Sequence, residues 1–454
     1  MSRRNFLRES GVALATGAAL SQSVHSQANT KKNILLYVVD DQGMGDASCY
    51  GHPVLRTPGL DTLAEEGVRF THAFCTTSSC SASRYVILTG LHNHASGQYG
   101  HSHGYSHFIS FDHIKSLPSR LGAAGYRTMS VGKYHVAPRE VYPFDQFLSF
   151  EFRDARLPEE LADLSRPFIE AVDDKPFFLY FCTNEPHRPF YRETSRAFAP
   201  GDVEVPSFLP DASETREELA KYYGSVEQAD RGLLRLIEIL KESGQWDNTL
   251  VVYLSDNGIA FPGAKTCLYE PGVRLPCVVR NPTQGKRGLV SDSMISWADI
   301  TPTILDYAGV EYDPSSLHGR SFLSVLGEER PKGWDEVYAS HTFHEITMYY
   351  PMRAIRERQF KLIWNIAYGL EFPHAMDLWD SSSWQGVLTR GSTHWGKRPI
   401  ESYLHRPEFE LYDLQEDPDE IHNLAGDPNH SEILARMTKK IREFQGLTSD
   451  PWII

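Results

Sequence analysis

Cysteine is scarce: six residues, at 49, 75, 80, 182, 267 and 277, serve a chain of 454, and no CxxC occurs. That excludes a disulfide framework as the basis of the fold. Basic residues are outnumbered, 45 Lys+Arg against 59 Asp+Glu, for a formal charge of −14. An acidic chain of this kind is not a nonspecific nucleic-acid binder, and an anionic substrate needs a local basic pocket to hold it. No internal repeat or low-complexity segment is found, and 41 % hydrophobic with 12 % aromatic residues is an ordinary globular composition. Disordered and fibrous classes are excluded, and the length allows two or three domains with a large buried core.

Residues 1–28 are set apart. Arg3 and Arg4 precede Asn5-Phe6-Leu7, a short apolar run covers residues 11–20, and the segment ends in Ser26-Gln27-Ala28. The run is shorter than the roughly 20 residues that span a bilayer. The pattern reads as a twin-arginine export signal cut after Ala28, placing the mature chain in the periplasm or outside the cell; the plainer reading is a basic tail. Removing Arg3, Arg4, Arg8 and Glu9 with this segment takes away +2 and leaves −16.

Beyond it, five short runs rich in β-branched and aromatic residues (34–39, 127–131, 177–182, 250–254 and 276–280) alternate with amphipathic stretches at 59–67, 117–125 and 217–243. This alternation predicts an α/β fold, a mostly parallel sheet with helices on both faces. The character changes near 328–332. Strand-like runs at 360–366 and 410–414 and a closing helix around 431–444 then predict a smaller α+β domain over 331–454, packed on a first domain over 29–330.

Four of the strands end in ionisable residues: Asp40-Asp41, Lys133 with His135, His187, and Asp256-Asn257. In open α/β sheets the ligand crevice lies beyond the carboxyl ends of the strands, so these endings are expected to converge. Asp40, Asp41, Asp256 and Asn257 are hard oxygen donors that favour Ca²⁺ or Mg²⁺ over zinc. Taken singly, the same residues also suit a helix cap and an Asp-Asn-Gly turn. Cys80 follows Ser79 and heads a helical stretch, where free N–H groups point at an anion; a buried structural cysteine is the bland alternative. The irregular histidine run 92–113 matches no metal-ligand spacing.

Cys80-Ser81-Ala82-Ser83-Arg84 with Leu88-Thr89-Gly90 resembles the signature of the sulfatase family, whose cysteine becomes formylglycine. The resemblance extends through Asp40-Asp41, Gly132-Lys133 with His135, His187, Ser255-Asp256-Asn257-Gly258, Lys265 and Glu270-Pro271-Gly272-Val273-Arg274. Ala82 departs from the commoner proline. The resemblance implies an alkaline-phosphatase-like fold and a sulfate hydrolase that needs a formylglycine-generating enzyme to mature. It assigns one Ca²⁺ to Asp40, Asp41, Asp256, Asn257 and the modified residue 80, whose hydrated aldehyde is the nucleophile. Arg84 and Lys133 then fix the nucleophile and sulfate, His187 with Lys265 protonates the leaving group, and His135 takes the proton that regenerates the aldehyde.

Further segments resemble the sulfamidase branch of that family, which cleaves N-sulfoglucosamine: Tyr99-Gly100, His107-Phe108, 141–145, Phe261-Pro262, His344-Glu345, 350–353, 410–413 and 450–452. They imply a sulfated glycosaminoglycan substrate such as heparan sulfate, with N-sulfate at a terminal glucosamine. His107, His344 and Glu345, polar and in loops, are the expected sugar contacts. The competing functions are an O-sulfatase on another saccharide, a phosphohydrolase of the related fold, and a silent glycan-binding protein in which Cys80 remains a thiol.

Overall fold

Strand β1 (Asn33–Val39) buries all seven side chains, because its alternate residues serve two layers. Ile34, Leu36 and Val38 join one apolar cluster, and Leu35, Tyr37 and Val39 join another. This is the period of two expected of a strand covered on both faces. The computed structural model describes residues 32–148, 157–171, 173–190 and 196–453, so the predicted export signal lies outside the described residues.

Among the described residues, the sheet that contains β1 has eight strands. They are β1, β2 (Val68–Phe74), β3 (Arg127–Gly132), β4 (Gln146–Leu148), β5 (Phe177–Cys182), β6 (Thr249–Ser255), β7 (Cys277–Arg280) and β8 (Leu289–Ser296), ordered β4-β3-β5-β1-β6-β7-β2-β8. All pairings are parallel except those of β7, which runs antiparallel to β6 and β2. One face is covered by α1 (Pro58–Glu66), α4 (Pro158–Ile169) and the second half of α5 (Ser213–Glu242), and the other by α2 (Cys80–Thr89), α3 (Leu117–Ala123) and α7 (Ile300–Ala308). The α/β expectation holds. The five runs read from the sequence become eight strands, because β2 and β8 interleave polar residues and β4 is only three residues long.

A second, antiparallel sheet is ordered β14-β11-β10-β9, from β9 (Glu336–His341), β10 (Met352–Glu357), β11 (Phe360–Asn365) and β14 (Phe409–Asp413), with a hairpin of β12 (His394–Trp395) and β13 (Arg398–Pro399) beside it in sequence. Ile355, Leu362 and Leu411 pack under Met437 and Ile441 of the closing helix Ser431–Leu447. Met352, Ala354 and Ile363, on the opposite face, join the large core of the first sheet. The segments at 350–353, 410–413 and 450–452 prove to be packing. Arg353 pairs with Asp450 at 2.7 Å, both side chains fully buried, and Glu410 receives Tyr269, Asn365 and Tyr412.

Histidines mark the joint between the parts. His94 contacts Ser340 Oγ at 2.9 Å and Thr448 Oγ1 at 2.8 Å, and the backbone N–H of His92 donates to His318 Nδ1. Burial pushes all three imidazoles down, that of His318 to about 4. A depressed folded-state value means that the unfolded chain takes up the proton first. Stability is therefore whole above about pH 6.5 and falls as pH drops from there toward 4. His318→Asn, which retains an acceptor, is expected to flatten the fall in Tm across that window; an unchanged slope excludes this origin.

Candidate active site

β1, β3, β5 and β6 deliver their last residues to one place. Gly132 ends β3 at φ 73, and a Cβ there would lie 2.0 Å from the Cys182 carbonyl oxygen, so only glycine lets the chain turn into Lys133 beside β5. Asp41, His135 and Thr266, next to Lys265, also take positive φ (67, 53 and 68), a conformation that non-glycine residues hold only where the surroundings enforce it. Cys80 occupies the first turn of α2, a helix buried along all ten residues. Its free N–H end and the strand ends thus face the same volume.

Asp40, Asp41 and Asp256 are fully buried there, with one ligand atom from each, and Cys80 Sγ, within 4.8 Å of one another. Arg84 Nε binds Asp256 Oδ2 at 2.8 Å, Lys133 Nζ binds Asp40, and Cys80 Sγ lies 3.7 Å from Asp41 Oδ1. Burial alone would raise Asp40, but Lys133, His187, Arg84 and Lys265 hold its carboxyl well below the usual range. Asp256 carries the cost: burial, then the charge of Asp40, pushes it up to about 7. Asp40 Oδ1 and Asn257 Oδ1 are buried without a hydrogen-bond partner. Crowded carboxylates with orphaned oxygens are the donor set of a hard cation, so these residues fit Ca²⁺ or Mg²⁺. Burial also pushes the Cys80 thiol well above its ordinary value, even beside Lys133. Unmodified, it is a protonated and poor nucleophile.

A cavity of about 1000 Å³ lies beside this cage and is lined by Lys133, His135, His187 and Lys265. Lys265, 1 % exposed at its side chain, donates to Asp41 Oδ2 at 2.9 Å and Asp377 Oδ2 at 2.8 Å, and faces His187 Nε2 at 3.1 Å. His187 Nδ1 contacts the Arg188 carbonyl, so Nδ1 is the donor and Nε2 the acceptor toward Lys265. Burial disfavours the Lys265 ammonium, but Asp377 and Asp41 hold its pKa well above the ordinary lysine value; burial and Lys265 in turn lower His187. The proton of the pair is stored on Lys265.

On the opposite wall His103 Nδ1 meets His135 Nε2 at 2.5 Å, and His101 Nε2 meets His344 Nε2 at 2.9 Å. Of the run 92–113, then, His101 and His103 converge with His135 from another loop, one nitrogen of each within 4.8 Å of the others.

The structure brings Asp40, Asp41, Cys80, Arg84, Lys133, His135, His187, Asp256, Asn257 and Lys265 together. His344 lines the cavity, but Ser79 Oγ at 3.0 Å and His101 occupy its two nitrogens. It thus braces Ser79, the residue before Cys80, while its ring borders the cavity. Glu345 lines the cavity and accepts from the Met376 backbone N–H at 3.3 Å. His107 is exposed and is not brought to the cavity, which the same loop lines with His101 and His103 instead. Two short helices, α6 (Glu270–Val273) and α8 (Met376–Trp379), lie in this part of the chain; Asp377 sits in α8, where no strand end or motif marks it in the sequence.

Residues 32–310 match the family model described as Sulfatase, and residues 263–382 and 396–446 match that described as N-sulphoglucosamine sulphohydrolase, C-terminal. The chain is 36 % identical to N-sulphoglucosamine sulphohydrolase of Homo sapiens, covering 93 % of this chain and 91 % of that protein. It is 29 % identical to an ulvan-active sulfatase of Formosa agariphila, over 91 % and 80 %. Among solved structures it resembles a protein in complex with its substrate D-glucosamine-2-N,6-O-disulfate (TM-score 0.70, 21 % identity, 93 % and 99 % covered). It also resembles a phosphonate monoester hydrolase of Agrobacterium radiobacter (TM-score 0.72, 20 % identity, 92 % and 96 % covered). The last two likenesses establish the fold alone.

Proposed function

The chain belongs to the sulfatase family, and from that premise we propose that it hydrolyses the N-linked sulfate of a terminal glucosamine in heparin-like or heparan-sulfate saccharides. The observation that carries the reading is the Lys265 and His187 pair at the cavity side of the Asp41 cage. An S–N bond breaks with an amine as leaving group, which must gain a proton as it departs, and this pair holds one at the right place.

The 36 % identity to an N-sulphoglucosamine sulphohydrolase supports the substrate class. Asp40, Asp41, Asp256 and Asn257, with residue 80, would hold Ca²⁺, which supplies charge stabilisation for the sulfate oxygens when bound. Conversion of Cys80 to formylglycine by a maturation enzyme would give the site a hydroxyl nucleophile and a second hydroxyl for sulfate release. Arg84, fixed by Asp256, and Lys133, fixed by Asp40, set the cationic wall that receives sulfate. His135 takes up a proton at Nε2, its partner there being His103. His187 hands the Lys265 proton to the leaving nitrogen.

Residues 1–28 act as an export signal in this reading, with 29–330 as catalytic domain and 331–454 completing the pocket through Glu345 and Asp377. No helix among the described residues is long and apolar enough to cross a membrane.

The test is a panel of N-sulfoglucosamine, glucosamine 6-sulfate and a small aryl sulfate. A kcat/KM for the N-sulfate about 100-fold above that for the 6-sulfate is expected, since a site built around one leaving group leaves its polar partners unpaired with another. The reverse order assigns an O-sulfatase. His344→Ala should lower turnover of saccharide and aryl sulfate alike, because it releases Ser79 beside residue 80; a loss confined to the saccharide would restore His344 to sugar recognition.

A further inference from the structure

We propose that Asp377 determines specificity for a nitrogen leaving group, accepting a hydrogen bond from the amine as it forms and holding it as ammonium; this rests on the N-sulfatase reading above. Asp377 Oδ2 is committed to Lys265 at 2.8 Å and lies 3.8 Å from His187 Nε2. No described residue donates to its Oδ1, and the side chain, 23 % exposed, lines the cavity. One oxygen therefore fixes the proton store, which leaves the other to accept from a group bound in the cavity that Asp377 lines.

Charge points the same way. At one part of the cavity Lys133 supplies a cation, with Arg84 buried behind it in the carboxylate cage, whereas Glu345 and Asp380 line the cavity with Asp377. A carboxylate beside the leaving group repels an alkoxide or a sulfate, accepts a hydrogen bond from a neutral hydroxyl, and gains most from a group that becomes positive. N-sulfate hydrolysis makes one: R–NH–SO₃⁻ + H₂O gives R–NH₃⁺ + SO₄²⁻. The S–N bond breaks, sulfur keeps an oxygen derived from water, and nitrogen gains two protons, one in leaving and one on becoming ammonium. An O-sulfate yields a neutral hydroxyl, for which Asp377 has no charge to meet. Asp377 also lies beyond residue 310, outside the part of the chain that matches the general sulfatase model. Selectivity for nitrogen would thus be added to a shared sulfate site by the second part of the chain.

The experiment compares the metal-loaded, full-length protein with Asp377→Asn and Asp377→Glu. Two readouts are taken: kcat/KM on N-sulfoglucosamine and on p-nitrophenyl sulfate, and inhibition of aryl-sulfate turnover by D-glucosamine against D-glucose. Charge-assisted hydrogen bonds contribute enough for a loss of roughly 10- to 100-fold. Asp377→Asn should lose that factor on N-sulfoglucosamine but only a few-fold on the aryl sulfate, with Asp377→Glu partly restoring it. D-Glucosamine should inhibit the unaltered protein at least about 10-fold more strongly than D-glucose, and the difference should vanish in Asp377→Asn. Equal losses on both substrates, or an amine preference untouched by the substitution, would reduce Asp377 to a support for Lys265 and overturn the proposal. Absence of N-sulfate turnover in the unaltered protein would instead defeat the functional reading, and the inhibition readout would still decide the role of Asp377. Retained aryl-sulfate turnover shows that the variant is folded.

Discussion

Cys80→Ala is expected to abolish turnover, by about 10⁴-fold or more, the scale seen when a covalent nucleophile is removed. The side chain is fully buried at the start of α2, and its own thiol is protonated, so neither surface chemistry nor a resting thiolate accounts for its place. Cys182→Ala, at the end of β5, removes a thiol that faces Arg84 and Tyr180 rather than the nucleophile, and should lower turnover far less than Cys80→Ala. Cys80→Ser separates two roles, since it preserves the small buried side chain but cannot be converted to an aldehyde by loss of sulfur; it should be as inactive as alanine. Mass analysis of the tryptic peptide 70–84 from active protein should show the aldehyde at residue 80. A thiol in fully active protein would defeat the formylglycine mechanism, and a thiol in inactive protein would favour the silent glycan binder.

Asp256→Ala should lose both the divalent ion and activity. Outer partners of a metal ligand already cost 10- to 100-fold in affinity, so the loss of a direct ligand should reach at least about 100-fold. The same change strips Arg84 of its 2.8 Å partner in a fully buried pair, which costs about 3–5 kcal/mol of stability. Asp256→Asn is the cleaner variant. It retains an oxygen to accept from the Asp41 and Asn257 backbone N–H groups and removes the charge. Calcium content and activity should fall together in it while Tm falls less than in the alanine variant. Zinc held by His101, His103 and His135, with the carboxylates empty, would contradict the assignment.

Much of this site was legible in the sequence because the fold gathers its ionisable groups at strand ends, where an apolar run stops and ionisable residues begin. Asp40-Asp41, Lys133, His187 and Asp256-Asn257 all carry that local mark, and Cys80 carries the helix-start mark. Asp377 carries neither. It reaches Lys265 across 112 residues of sequence, and only tertiary packing reports such a contact. The histidine wall escaped for a related reason, since spacing within 92–113 is silent about His135, which the positive φ after β3 swings toward His103. His344, expected at the sugar because it is polar and in a loop, borders the cavity with its two ring nitrogens engaged by Ser79 and His101, contacts that spacing along the chain does not report. In the fold, strands buried on both faces stood out as apolar runs. β2 interleaves half-buried Arg69, Thr71 and His72 with Val68 and Phe70, and β9 and β10 of the second sheet mix buried polar residues such as Ser340 and Arg353 into the strand, so none of the three was visible as an apolar run.

The most direct measurement follows one molecule that offers both linkages. D-Glucosamine-2-N,6-O-disulfate should lose only its N-sulfate, giving free amine with the 6-O-sulfate intact, and the rate should vanish in Cys80→Ala. Loss of the 6-O-sulfate while the N-sulfate stays in place would contradict the assignment of this cavity to a nitrogen leaving group.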